Sequence, residues 1–158
     1  MKFACDRNLG SLARWLRILG FDTTYPDLPD DRTLADQARN EGRTLLTRDR
    51  ALAAKHPGFC YLVSAEPLDE QILEVAEALH LAPEIKPLSR CSACNGLLAP
   101  VAREAVEDSL PPRVRDYQKE YRRCESCGKV YWPGTHFERM NGRIRRLFGD
   151  SYDKIYRE

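Results

Sequence analysis

Two CxxC pairs, Cys91-Ser92-Ala93-Cys94 and Cys124-Glu125-Ser126-Cys127, oblige chain segments 29 residues apart to meet. Four thiols at this spacing can close a tetrahedron around a soft cation, and zinc fits best. The second pair continues as Gly128-Lys129, the pattern of a knuckle whose backbone N–H groups point at the sulfurs. Cys94 is followed by Asn95-Gly96, which also turns. The gap is longer than in an ordinary ribbon, so an insertion is expected within it. A disulfide framework is the alternative, disfavoured because nothing in the sequence points to an oxidising compartment. A thioredoxin-like redox role is weaker still, because both pairs lie in turn-rich sequence rather than at a helix start after a strand. Cys91, Cys94, Cys124 and Cys127 are therefore expected to hold a structural Zn²⁺. Cys5 and Cys60 lie in apolar stretches and are expected to act as small buried hydrophobes.

At 158 residues the chain has room for one ordinary domain and a small metal-stapled one. The expected division is 1–82, a linker over 83–89, and 90–158. Net charge is only +1, but it is unevenly spread. Residues 1–88 hold 11 Lys/Arg against 14 Asp/Glu, and residues 89–158 hold 14 against 10. An acidic body beside a basic appendage suits carboxylates that hold cations next to a surface that attracts a polyanion. Met1-Lys2-Phe3-Ala4-Cys5-Asp6 reaches an acid too soon for a signal peptide, and no apolar run approaches membrane-spanning length. A cytoplasmic protein without a membrane partner is expected.

The first 80 residues alternate strand and helix. Lys2–Cys5 reads as a strand. Leu9, Leu12, Ala13, Leu16 and Leu19 recur at helical spacing, with Gly20 as a C-cap. Asp22–Tyr25 is a second strand, Pro26–Pro29 a loop, and Asp31 the expected N-cap of a helix through Leu34, Ala35 and Ala38 to about Gly42. Thr44–Thr47 is a third strand, Ala51–Lys55 a short helix, Phe59–Ser64 a fourth strand and Leu68–Leu81 an amphipathic helix. This alternation predicts a parallel sheet covered by helices. Beyond the Pro-rich stretch 82–87, Leu97–Val101 and Lys129–Trp132 read as the outer ribbon strands. Residues 103–123 read as a charged insertion, and His136–Phe148 as a basic helix before a polar tail expected to fray.

In an open parallel sheet, ligands gather at the carboxyl ends of the strands. Asp6 follows the first strand, Asp49 follows the third, and Asp31, with Asp30 beside it, starts the helix leading into the third. Clustered carboxylates repel one another, so such a cluster implies a compensating cation. Oxygen ligands select Mg²⁺ or Mn²⁺, ions that serve phosphodiester hydrolysis. Equally, Asp31 can be only a helix cap, and Asp6 and Asp49 only turn residues.

Residues 1–80 resemble the Mut7-C RNase domain, a branch of the PIN-like nuclease superfamily. The likeness is carried by Lys2-Phe3-Ala4-Cys5-Asp6-Arg7-Asn8-Leu9-Gly10, Leu12-Ala13-Arg14-Trp15-Leu16-Arg17, Gly20-Phe21-Asp22-Thr23, Asp30-Asp31 and Leu45-Leu46-Thr47-Arg48-Asp49. It extends through Arg90-Cys91, Cys94-Asn95-Gly96, Cys124, Cys127-Gly128 and Tyr131-Trp132-Pro133-Gly134-Thr135-His136. The resemblance implies a PIN-like three-layer α/β/α sandwich with a parallel sheet, followed by a small four-cysteine zinc ribbon. It implies metal-dependent cleavage of single-stranded or structured RNA, with Asp6, Asp31 and Asp49 at the family's acidic positions and Asp30 a helper of or substitute for Asp31. Many PIN nucleases have a fourth acid after a later strand. Here Ser64, Glu66 and Asp69 are the candidates. Some relatives carry a ubiquitin-like domain ahead of the nuclease; none is expected here, since the first strand opens at Lys2.

Arg7, Arg14 and Arg17 on or beside the first helix, and Arg48 next to Asp49, suit phosphate binding. Arg14 and Arg17 can instead form a solvated face or pair with the acids. Trp15 is expected in the core. On the ribbon, Arg122 and Arg123, among Tyr117, Tyr121 and Tyr131, suit RNA, whereas Trp132 is expected to pack. His136 is expected as an N-terminal helix residue or phosphate contact rather than a fifth zinc ligand. The function expected is a Mg/Mn-dependent ribonuclease. The alternatives are a non-catalytic RNA-binding module of an RNA-processing assembly and a toxin-like PIN protein. A homodimer is compatible with the resemblance, though no coiled coil announces one.

Overall fold

Strands of three or four residues cannot stand alone, so each short apolar run near the N-terminus must find a neighbour. In the computed structural model, which describes residues 1–25 and 30–149, they form β1 (Lys2–Cys5), β2 (Asp22–Thr24), β3 (Thr44–Thr47) and β4 (Cys60–Leu62). All pairings are parallel, in the order β2-β1-β3-β4. The helices between them are α1 (Gly10–Ile18), α2 (Asp31–Asn40), α3 (Arg50–Lys55) and α4 (Leu68–Ala78).

The register aligns Ala4 with Leu45 and Cys5 with Leu46. Alternation along each strand then sends these two pairs to opposite faces. Ala4 and Leu45 pack with Leu34, Ala35 and Ala38 of α2 and Leu52 of α3. Phe3, Cys5 and Leu46, fully buried, face the other way. Among the remaining helices, α1 and α4 pack on each other, burying Leu12, Leu16, Ile72 and Val75. Each such leucine or isoleucine removed from water contributes about 1.5–3 kcal/mol.

The helix expected through Leu81 stops at Ala78, where His80 adopts a left-handed backbone (φ 53°). Residues 83–89, expected as a linker, are fastened down. Ile85 is buried, and the Lys86 N–H donates to the Leu19 carbonyl at 2.8 Å. Gly20, with φ +98°, lets that strap approach, since a Cβ there would lie 2.4 Å from the Lys86 oxygen. The chain divides into two compact units, Met1–Asn95 and Gly96–Glu158.

Within the second unit, β5 (Leu98–Val101), β6 (Tyr121–Cys124) and β7 (Val130–Tyr131) form an antiparallel sheet in chain order. The central strand β6 lies partly within the stretch expected to be an insertion. Only Tyr121 and Cys124 of β6 are buried, and the exposed Arg122-Arg123 between them breaks any alternating pattern. A short α5 (Pro112–Tyr117) and α6 (Thr135–Phe148) complete the unit. Val106, Leu110 and Tyr121 form its small core, with Trp132 packed against it as expected. The Pro26–Pro29 loop and the tail from residue 150 lie outside the described residues. No helix among the described residues is long and apolar enough to cross a membrane.

Candidate active site and metal centre

The chain crosses from β2 over β1 to reach β3, so the strand order reverses between β1 and β3. In doubly wound sheets such a reversal, at the carboxyl ends of the two strands, is the usual place for a ligand. Asp6 follows β1 and Asp49 follows β3 by two residues.

Thr47 joins them. Its Oγ1, fully buried, donates to Asp6 Oδ2 at 2.9 Å and accepts the Asp49 N–H at 3.0 Å. Asp6 is itself only 5% exposed, and its Oδ1 accepts the Arg7 N–H. Asp49 caps α3, its Oδ1 accepting the N–H groups of Ala51 (2.7 Å) and Leu52 (3.0 Å). The field of both acids reaches Cys60, whose thiol is pushed up to about 11 by burial first and then by the Asp6 and Asp49 charges. Cys5 is pushed up by burial too, so both lone cysteines are protonated, buried or half-buried groups, as expected.

Asp31 and Asp30 divide their roles differently from expectation. Asp30, not Asp31, is the N-cap of α2: its Oδ1 accepts the Thr33 N–H at 2.8 Å and its Oδ2 the Thr33 hydroxyl at 2.9 Å. Its extended backbone aims the carboxylate at those donors, a geometry closed to Asp31 inside the first helical turn. The same hydrogen bonds hold the Asp30 carboxyl below its ordinary value. Asp31 is exposed, and no described residue pairs with its carboxylate. Since α2 runs back to the start of β3, its first turn lies on the carboxyl side of the sheet, the side of Asp6 and Asp49. The three carboxylates do not close to within 4.8 Å as a trio: among the described residues only the cysteines form such a group.

The arginines separate. Arg14 is exposed, with no hydrogen bond or ion pair to a described residue. Arg48 reaches Glu66 at 3.3 Å. Arg17, expected at the substrate, is engaged elsewhere: Nε donates to the Thr23 carbonyl at 2.8 Å, and Nη1 to those of Ala93 (3.0 Å) and Ser92 (3.4 Å). Burial lowers its pKa, and the nearby Cys5, Cys94 and Cys91 oppose that fall. Among the fourth-acid candidates, Glu66 is the ion-pair partner of Arg48. Behind β4 it is Glu74 of α4 that takes the backbone, accepting from Ser64 N–H (3.0 Å) and Ala65 N–H (2.8 Å). Sequence reasoning missed Thr47 and Glu74 as site residues. The Thr47-Arg48-Asp49 string carried a signal for the first, whereas Glu74 sits on an ordinary helical spacing.

Cys91, Cys94, Cys124 and Cys127 bring their sulfurs to within 4.8 Å of one another, which suits a single tetrahedral zinc. The Cys127 N–H points at the Cys124 sulfur at 3.5 Å, as the knuckle pattern predicts. Gly96 is required there, because a Cβ would lie 2.7 Å from that sulfur. The first knuckle is bound to the β2 edge. Asn95 Oδ1 accepts the Thr23 N–H at 2.9 Å and its Nδ2 donates to Asp22 Oδ1 at 2.8 Å, while Arg90 Nη1 donates to the Asn95 carbonyl at 2.9 Å. The outward backbone N–H of Thr23 on this edge strand is thereby satisfied.

Fold and site define a doubly wound α/β protein with aspartates at its switch point and a four-cysteine cluster fit for zinc. Its sequence matches the model of the Mut7-C RNAse domain over residues 1–144. The chain belongs to the Mut7-C RNAse domain family, and that membership points to a nuclease-type, RNA-related role. No curated protein and no solved structure matches it.

Proposed function

We propose that this protein is a metal-dependent ribonuclease of PIN-like sandwich architecture, with Asp6, Asp31 and Asp49 as ligands and a zinc ribbon that assists RNA binding. The observation that carries the reading is the Thr47 bridge, which fixes two acids of adjacent strands at the switch point. The donor set is all oxygen, which fits Mg²⁺ or Mn²⁺ and not a soft ion. When bound, such an ion supplies activated water and offsets charge on the phosphate. The chain's own part is to hold and orient. Thr47 sets the Asp6 carboxylate, the α3 cap leaves Asp49 Oδ2 outside its two cap bonds, and Asp31 stands clear of the Asp30 cap. Arg14, Arg7 and Arg48 are the proposed contacts to the scissile strand, and Arg122 and Arg123, both exposed on β6, extend the contact on the ribbon. Arg17 leaves this set, because its guanidinium already serves three carbonyls.

The test is cleavage of a labelled RNA in Mn²⁺ by the zinc-loaded protein and by Asp6→Asn and Asp49→Asn. Both variants are expected to lose cleavage with zinc content and fold intact. Undiminished cleavage by both removes the acids from the mechanism. A non-catalytic RNA-binding module is the second reading, favoured by one observation: Glu66 and Glu74, the acids nearest the end of β4, are engaged with Arg48 and with backbone N–H groups. Salt-dependent binding without cleavage under any divalent ion supports that module.

A further inference from the structure

Helix α6 carries a glycine in its interior where nothing in the fold asks for one. Gly142 has ordinary helical geometry, and a Cβ added to it would meet no atom within 4 Å. An interior glycine weakens a helix relative to alanine, so neither backbone conformation nor packing accounts for it. Its neighbours on the helix surface give a reason. Residues at i−3 and i+4 from Gly142 are Arg139 and Arg146, and one turn back from Arg139 lies His136. Those residues and Gly142 are all exposed, whereas Ile144 on the opposite side is fully buried. The helix holds four arginines, with Glu138 its single acid. Neither Arg139 nor Arg146 has an ion-pair partner among the described residues.

We propose that this face of α6 is a docking surface for the phosphate–ribose backbone of RNA, with Gly142 as the bare floor between arginine walls. The inference rests on the reading of RNA as substrate and names where the strand is gripped. Guanidinium groups two turns apart, one on each side of Gly142, can each pair a phosphate. The missing side chain lets a phosphate reach the helix surface, and close backbone approach is a recurrent use of glycine. No large aromatic ring faces outward here, so the surface reads backbone and not base, and binding is independent of sequence.

The experiment uses the full zinc-loaded chain carrying Asp49→Asn, so that bound RNA is not cleaved. Anisotropy of a fluorescent RNA is titrated at several salt concentrations, with a single-stranded oligonucleotide and a hairpin as probes. Arg139→Gln/Arg146→Gln is expected to weaken both probes about tenfold and to flatten the log Kd against log salt slope by about 1.4 to 2. Gly142→Ala separates this role from a structural one: its thermal midpoint rises by about 2–4 °C while RNA affinity falls several-fold. Undiminished affinity in Gly142→Ala, or an unchanged salt slope in the double arginine variant, overturns the proposal. Neither outcome touches the cleavage assay, which tests the acids separately.

Discussion

Thr47 is the residue through which the sequence acts most economically on the site. A threonine at the end of a buried strand reads as ordinary β-branched filling, but its hydroxyl links Asp6 to the backbone of Asp49. Replacing it with valine keeps the shape, removes the side-chain acceptor of the Asp49 N–H and leaves Asp6 Oδ2 without the hydroxyl donor, with Oδ1 still held by the Arg7 N–H. The expected result is a loss of about 1–2 kcal/mol in denaturant unfolding, together with a fall in kcat at little-changed KM. Thr47→Ser retains both bonds and is expected to restore turnover, which a purely packing role does not predict. Arg17 gives the contrasting lesson. Its position on α1 suits phosphate, but its guanidinium is taken by the Thr23 carbonyl six residues away and by the Ser92 and Ala93 carbonyls far along the chain.

The start of α2 separates a helix cap from a proposed metal ligand, whereas at the start of α3 Asp49 is proposed to serve as both. Aspartate is favoured at both positions for the same reason, an oxygen that accepts from exposed backbone donors. In Asp30-Asp31 the first residue takes the cap, which leaves the second for other chemistry. Asp30→Ala is therefore expected to lower the thermal midpoint by a few degrees and to preserve cleavage. Asp31→Asn is expected to leave stability within about 0.5 kcal/mol and to abolish cleavage in the same assay. The reverse pattern assigns the ligand to Asp30. Most elements of the first unit were legible because their apolar spacing is strong and their caps are local. The central strand β6 was not, because its pairing with β5 and β7 comes from contacts across the sheet, and the Arg122-Arg123 pair hides its two buried positions.

At the scale of the whole molecule, the thiols report the zinc proposal directly. Four of the six cysteines are clustered, Cys5 is fully buried, and the Cys60 thiol is raised to about 11. The native protein is expected to hold one zinc per chain and to react slowly with a thiol reagent at pH 8. Adding a chelator is expected to release the metal and expose four fast thiols. Four fast thiols before chelation contradict a bound zinc. The sequence by itself determined the strand–helix alternation, the cysteine spacing and the three acids near strand ends, because each is set by neighbours within a few residues. Strand order was decided only in three dimensions, and with it the partners of Thr47 and Arg17, the fastening of residues 83–95 and the openness around Gly142. Those features depend on which distant surfaces bury one another, and that is a property of the packed chain and not of any local run.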